Sequence, residues 1–444
     1  MKRVFIANRG EIALRIVRAC RSLRLECVVG ASEPDLSGPA ARAADRVVCI
    51  GPGPAAQSYL RDDVVVQAAL GTGCDAIHPG YGFLAESPRL AERARSHGLV
   101  FVGPPTEVMA LTGDKLAARA AAARAGLPVV PGGEVSAAEE AIALADRLGY
   151  PVLVKAAGGG GGRGIKLARG SAELRSLLGI ASGEAEAAFG DARVYLERYI
   201  AAARHVEVQI AADEHGSVVH LGERDCSVQR RYQKVVEEAP APGLARASRD
   251  ALCEAAVTLA RAIGYRNLAT VEFVVDAERE EFFFLEVNCR IQVEHPVTEA
   301  VTGLDLVAMQ LRIAGGEPLG FAQDDVAASG HAIECRLNAE DVTRGFMPSP
   351  GTLSLFAVPE LPHLRVDTHC YAGAVVPPFY DSLLAKLIAR ADEREEAIHV
   401  LIGALEDLDI DGVETNRTVL LSVLGHPDFR AGRVTTDWLE RAVA

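Results

Sequence analysis

Phe282-Phe283-Phe284-Leu285-Glu286-Val287-Asn288-Cys289-Arg290-Ile291-Gln292-Val293-Glu294-His295-Pro296 joins an apolar run to a stretch in which every second residue is polar: Glu286, Asn288, Arg290, Gln292 and Glu294. In an extended chain these five share one face. A solvent-facing strand more often mixes Thr, Lys and Ser than two carboxylates, amides and a guanidinium. Upstream, Ala269-Thr270-Val271-Glu272-Phe273-Val274-Val275 reads as a second strand and Asp276 to Glu281 as a polar turn. Folded as a hairpin, the two runs set Glu272 near Glu286. Like charges placed opposite each other destabilise a sheet, so the pair predicts either an exposed edge or a bound cation, and Asn288 favours the cation. Oxygen donors without His or Cys at ligand spacing suit Mg²⁺ or Mn²⁺ better than zinc. Magnesium commonly shares phosphate oxygens with a nucleotide.

A phosphate-binding loop is therefore sought, and one is present. Pro151-Val152-Leu153-Val154-Lys155 reads as a short strand ending in lysine, then Ala156-Ala157-Gly158-Gly159-Gly160-Gly161-Gly162-Arg163-Gly164 leads into the run Ile165-Lys166-Leu167. Gly159, Gly161 and Gly164 meet the dinucleotide-binding spacing, but any polyglycine run does so, and a strand follows instead of a helix. No Gly-Lys-Ser/Thr closes the loop. A glycine-rich turn between two strands predicts a mobile flap whose bare N–H groups cover phosphates.

Of 46 basic residues only six are lysines: Lys2, Lys115, Lys155, Lys166, Lys234 and Lys386. In so Arg-biased a chain, a retained lysine marks a place for a compact point charge. Lys115, Lys155 and Lys234 lie among other functional residue types, whereas Lys2, Lys166 and Lys386 read as surface lysines.

With these residues in view, the chain resembles the biotin carboxylase component of biotin-dependent carboxylases, an ATP-grasp enzyme, from Val4 to about Trp438. The resemblance rests on Ile6-Ala7-Asn8-Arg9-Gly10-Glu11-Ile12-Ala13, His78-Pro79-Gly80-Tyr81-Gly82-Phe83-Leu84, the Lys155 to Gly164 loop, Arg224-Asp225-Cys226-Ser227, Gln233-Lys234-Val235-Val236-Glu237-Glu238-Ala239-Pro240, the Glu286 to Pro296 stretch and Glu334-Cys335-Arg336. It implies that Lys115 and Lys155 hold nucleotide phosphates with Gly161 and Gly162 in the flap, that the adenine hinge begins at Glu197 and continues through Arg198 to Ile200, and that His205 contacts nucleotide. It also implies Glu272, Glu286 and Asn288 as Mg²⁺ or Mn²⁺ ligands, in agreement with the hairpin reading. Lys234, Arg290, Gln292 and Val293 match the bicarbonate pocket and Glu294 the general base. Arg336 matches the residue facing the ureido group of biotin, and Tyr81 lines the biotin side. One departure stands in a motif: Tyr232 occupies a position, associated with the ribose, where the family often has His. It keeps a hydroxyl but not an imidazole. Cys289 reads as a small buried residue, not a nucleophile.

The remaining features fit this picture. At 444 residues two or three domains are expected. A net charge of −14 offers no basic surface to nucleic acid. Nine cysteines, without Cys-x-x-Cys spacing, argue for a reducing cytoplasm and against a disulfide frame or zinc site. The apolar run after Lys2-Arg3 is broken at Asn8-Arg9, so neither a signal peptide nor a membrane span is expected. Val4 to Ala7, Glu11 to Leu23, Cys27 to Ala31 and Val100 to Gly103 read as strand, helix, strand and strand of an open, Rossmann-like α/β unit. Arg9-Gly10-Glu11, at the first strand-to-helix turn, is read equally as an anion site or a plain helix cap. The fold expected is α/β, α+β overall: an N-terminal unit over 1–114, a linker helix over 115–130, a small flap-bearing unit over 131–203 and a large unit over 204–444.

The resemblance further implies MgATP-dependent carboxylation of biotin by bicarbonate through carboxyphosphate, as the first half-reaction of an acyl-CoA carboxylase such as acetyl-CoA carboxylase. A homodimer working with carboxyltransferase subunits is implied too. No lysine here lies between two Met residues, as the biotin-bearing lysine of the family does, so the biotin is expected on a separate carrier protein. Two other readings stay open: an ATP-grasp ligase joining a carboxylate to an amine, and a non-catalytic nucleotide-binding regulatory subunit.

Overall fold

The computed structural model describes residues 1–158 and 165–442. Gly161 and Gly162 lie outside the described residues, so the glycine loop is represented by its flanks. Those flanks are the antiparallel strands Val152–Ala156 and Lys166–Ala168, paired Val152 to Ala168 and Val154 to Lys166, as expected for a turn between strands.

The N-terminal part is built on a five-stranded parallel sheet in the order Arg46–Gly51, Glu26–Ser32, Arg3–Ile6, Ala76–His78, Val100–Phe101. Its central strand shows why both faces must be covered. Val4 and Ile6 pack with Ile12 and Ile16 of the helix Gly10–Ser22, whereas Phe5 points the other way onto Val65 and Leu90 of the helices Asp62–Gly71 and Pro88–Ser96. Period-2 alternation with apolar residues on both sides is the mark of a strand buried between helix layers.

A four-stranded antiparallel sheet, in the order Gly132–Val135, Val194–Arg198, Val152–Ala156, Lys166–Ala168, carries the helices Ala138–Leu148 and Ser171–Phe189. Ala141, Ala145 and Leu174 close its core against Val152, Val154 and Leu196.

The largest layer is an eight-stranded antiparallel sheet, in the order Glu281–Asn288, Asn267–Asp276, Ala203–Ala212, Val218–Arg230, Gln233–Ala239, His331–Asn338, Leu383–Ala391, Leu364–Thr368. The strand Ala203–Ala212 sorts its side chains cleanly. Val206, Val208 and Ile210 enter a core with Leu252, Ala256 and Leu259 of the helix Arg246–Ala262, leaving His205, Glu207 and Gln209 on the opposite face. That polar face is nevertheless buried, and it is the floor of the candidate site.

The alternation from Glu286 to Glu294 does not persist as one strand. The strand ends at Asn288, and Glu294 stands immediately before the helix His295–Thr302. The departure has a physical cause: the backbone N–H of Cys289 donates to Glu86 Oε1 at 3.1 Å and Arg290 Nε donates to Glu86 Oε2 at 3.0 Å, so the chain is drawn toward the N-terminal part just where the ladder stops. Lys386, expected at the surface, is fully buried. Lys2 is exposed and Lys166 half-buried beside Glu184. Among the described residues no helix is long and apolar enough to cross a membrane, and all nine cysteines are free.

Candidate active site

The hairpin inferred from sequence forms, with Glu272 directly opposite Glu286. The row runs on across the sheet: Glu272 faces Glu207, and Glu207 faces Arg224. Three carboxylates in line on three adjacent strands would repel one another, and buried cations offset the repulsion. Arg224 Nε donates to Glu207 Oε1 at 2.6 Å with both side chains fully buried. Lys234 Nζ donates to Glu207 Oε2 at 2.6 Å, to Glu272 Oε1 at 3.1 Å and to Glu294 Oε1 at 2.6 Å. His205 Nε2 lies 3.1 Å from Glu272 Oε2. Burial alone would push the Glu272 carboxyl up, but Lys234 and His205 hold it well below the usual carboxylate range.

Over this floor opens a cavity of about 700 Å³. One end is cationic: Lys155 is 7% exposed at the end of its strand, and Lys115, the first residue of the helix Lys115–Arg124, lies 3.6 Å from Glu286. The other end holds Glu294, which has no exposed surface and carries a cation on each oxygen, Lys234 on Oε1 and Arg336 on Oε2 at 2.8 Å. Burial would raise this carboxyl; Lys234, Arg336 and Arg224 more than reverse that and keep it ionised well below the ordinary range. Arg336 is itself held by Glu237, to whose Oε1 its Nε donates at 2.6 Å. Between the two ends, Arg290 donates to Gln292 Oε1 at 2.8 Å and to Asn288 Oδ1 at 3.1 Å, and Gln292 donates to Glu272 Oε1 at 3.2 Å. Site-lining Arg and Lys groups thus converge on a short turn, Arg290 to Glu294, where an anion would meet a base.

The oxygens of Glu272, Glu286 and Asn288 form a donor set suited to a hard divalent cation. Glu286 supports this fit: its side chain is a quarter exposed toward the cavity, and Lys115 at 3.6 Å is its one ion-pair contact among the described residues. His205, Glu207 and Glu272 also bring ligand atoms within 4.8 Å of one another, but Lys234 already binds both carboxylates there, so that cluster is an ion-pair network.

Family models match the chain along nearly its whole length: the biotin carboxylase N-terminal domain over residues 1–109, the carbamoyl-phosphate synthase L chain ATP-binding domain over 114–322 and the biotin carboxylase C-terminal domain over 334–441. The biotin carboxylase 1 of Bacillus subtilis (strain 168) is 47% identical over 442 residues, covering 99% of this chain and 98% of the relative. That of Pseudomonas aeruginosa is 48% identical over 444 residues, again 99% and 98%. The chain belongs to the biotin carboxylase family. Solved biotin carboxylase structures superpose throughout. The biotin carboxylase domain dimer of Hydrogenobacter thermophilus 2-oxoglutarate carboxylase, in complex with MgADP, ADP and bicarbonate, matches with a TM-score of 0.96 at 44% identity and covers 100% of this chain and 98% of that one. The Campylobacter jejuni biotin carboxylase complex with β,γ-ATP matches with a TM-score of 0.96 at 42% identity, covering 99% and 98%. The fold is accordingly ATP-grasp, preceded by a Rossmann-like parallel sheet, and the protein is an ATP-dependent ligase.

For a biotin carboxylase, most residues singled out from sequence converge. Lys115, Lys155, His205, Tyr232, Lys234, Glu272, Glu286, Asn288, Arg290, Gln292, Val293, Glu294, Arg336 and Tyr81 all line the one cavity. Tyr232 is 53% exposed at its rim, in the two-residue turn Arg231-Tyr232, where both residues have positive φ as a type I′ hairpin requires. Glu197, Arg198 and Ile200 do not line it. Glu197 accepts from Lys155 Nζ at 2.5 Å and from Arg119 at 2.9 Å, Arg198 lies over the Phe283 ring, and Ile200 packs with Val130 and Phe283. Cys289 is buried beside Thr112.

Sequence reasoning passed over Glu207, Glu86, Glu237 and Lys386. His205-Val206-Glu207-Val208-Gln209 alternates as visibly as the Glu286 stretch, and that period-2 pattern was the available signal for Glu207. Nothing local marks Glu86, because its partner Arg290 lies 204 positions away.

Proposed function

We propose that this biotin carboxylase uses MgATP and bicarbonate to carboxylate biotin carried on a separate protein. The observation that supports this most is Glu294: a fully buried carboxylate shared by Lys234, on the nucleotide side, and Arg336, on the opposite side. Lys115 and Lys155 would hold the phosphates, with Gly161 and Gly162 of the flap, and His205, Tyr232 and the Glu197–Ile200 segment the rest of the nucleotide. Glu272, Glu286 and Asn288 would hold Mg²⁺ or Mn²⁺, which when bound neutralises charge on the phosphate oxygens.

Bicarbonate would lie against Arg290, Gln292, Lys234 and the Val293 backbone. Glu294 takes its proton as a bicarbonate oxygen attacks the γ-phosphorus, giving carboxyphosphate and ADP. Carboxyphosphate breaks into CO₂ and phosphate; the phosphate accepts the biotin N1′ proton, and N1′ bonds to CO₂. Arg336 stabilises the enolate oxygen by a charge-assisted hydrogen bond, and Tyr81 borders the biotin.

The depressed basicity of Glu294 belongs to this scheme. A carboxylate so held is a weak base, but two of the cations responsible, Lys234 and Arg336, are those that bicarbonate and biotin would engage, so substrate binding releases basicity where it is needed. The Hydrogenobacter thermophilus relative determined as a dimer, and the absence of any Met-Lys-Met sequence in the chain, support a homodimer that acts on a carrier and passes carboxybiotin to carboxyltransferase subunits, as in an acyl-CoA carboxylase. The test is ADP release with bicarbonate omitted, added alone, and added with free biotin. Release should need bicarbonate and rise with biotin; release indifferent to both, or driven by an amine, would contradict the reading.

A further inference from the structure

Of the six lysines Lys386 alone has a fully buried side chain. It stands in the strand Leu383–Ala391, paired with Arg336 on one side and Asp367 on the other, and the scheme above leaves it without a role. Its Nζ donates to the carbonyl oxygen of Val293 at 2.9 Å and lies 3.1 Å from Glu11 Oε1. Glu11, in the first turn of the helix Gly10–Ser22, also accepts from the Tyr81 hydroxyl. The other charged groups around the ammonium are already accounted for. Asp367 is bound by Arg365 at 2.7 Å. Glu334 has both carboxyl oxygens buried without a partner, and burial raises it well above the ordinary range, which favours its neutral form. His295, just past the turn, is also kept neutral by burial. Glu11 is thus the acid in direct contact with the ammonium; burial raises its carboxyl too, and Lys386 opposes that rise.

We infer that Lys386 is a positioning residue that fixes the Gln292–Glu294 turn through the Val293 carbonyl and, through Glu11, ties that turn to Tyr81 on the facing wall. A peptide group is planar, so holding the Val293 oxygen also orients the N–H of Glu294 and the start of its side chain. A hydrogen bond from a buried ammonium is strong and finds no competing water. A purely apolar residue at 386 would fill space but could not reach both oxygens, which explains why this Arg-rich chain keeps a compact three-donor cation here.

The catalytic consequence rests on reading Glu294 as the base; the positional claim does not. Two variants separate position from mere charge balance. Lys386→Met leaves Glu11 unpaired and should melt at lower temperature. Glu11→Gln combined with Lys386→Met removes both charges and should recover most of the thermal stability while the Val293 carbonyl stays unbound. In that double variant, backbone amide exchange over Ile291 to Val297 should be faster than in the native protein. Its kcat/KM for bicarbonate should fall on the order of 10²-fold, the scale of a misplaced reacting group, with nucleotide affinity unchanged. Native exchange rates at the turn, or full bicarbonate use in the folded double variant, would make Lys386 a structural counter-ion only. Absence of bicarbonate-dependent turnover in the native protein would instead overturn the reading of Glu294, with exchange still deciding the positional claim.

Discussion

A buried carboxylate bound by two cations is stable only while all three stay together, so each substitution around Glu294 has a definite sign. Glu294→Gln should abolish bicarbonate-dependent ADP release measured without biotin, because no base remains. Arg336→Met should keep ATP affinity yet lose several kcal/mol, about the worth of a charge-assisted contact at an oxyanion, in biotin carboxylation. Measuring both activities in both variants checks the assignment, and equal loss of ATP binding in Arg336→Met would reverse it. Glu286→Gln should stop MgATP turnover with the thermal transition intact; loss of activity only through a collapsed transition would count against a metal role. Acidity gives a further test. Burial, opposed by Arg336, pushes the Glu237 carboxyl up to about 7. The folded state therefore keeps a proton that the unfolded chain has already released, and the stability this contributes is full below the unfolded value and lost as pH rises through about 7. Glu237→Gln should flatten the decline in thermal stability of the native protein between about pH 5 and about pH 7, a slope of at most about 1.4 kcal/mol per pH unit. A native protein that gains stability on the variant over that interval would contradict this. At this scale Lys234, Glu294 and Arg336 were legible because they stand in dense motifs. Lys386 was not, because burial of a lone lysine depends on partners at positions 11 and 293 that no local pattern connects to it.

At the scale of elements, the polar face of the large sheet is one device assembled from five strands. Its hairpin was legible, since alternation and a polar turn fix both the strands and the Glu272–Glu286 pairing. The end of the strand at Asn288 was not: alternation continues through Glu294, and only Glu86, brought from the N-terminal part, turns the chain away. Glu207 is the keystone of the row, since it binds Arg224 and Lys234 together. Glu207→Ala should strand a fully buried guanidinium and lower stability by about 3–5 kcal/mol, as removal of one partner of a buried ion pair does. Chemical denaturation checks this; a loss within that of a surface substitution would show that Arg224 finds its balance elsewhere.

Across the whole molecule, three sheets of different construction meet at one cavity, with the parallel sheet supplying Tyr81 and Glu86, the small sheet Lys155 and the large sheet the acidic row. The parallel unit and the strands on either side of the glycine loop were readable from short-range pattern, whereas the order of eight strands in the large sheet depends on pairings such as Val236 with Cys335, about a hundred positions apart. A chain that serves a separate carrier should gain no mass when expressed with a biotin ligase, and a stoichiometric biotin adduct by intact-mass analysis would refute that assignment. The most direct test of the account is transfer of label from [¹⁴C]bicarbonate to free biotin by the purified protein. Label should appear in carboxybiotin only when Mg²⁺ and ATP are both present, with one ADP formed for each carboxybiotin. Label transfer without ATP, or ATP consumption with bicarbonate and biotin present but no label on biotin, would contradict it.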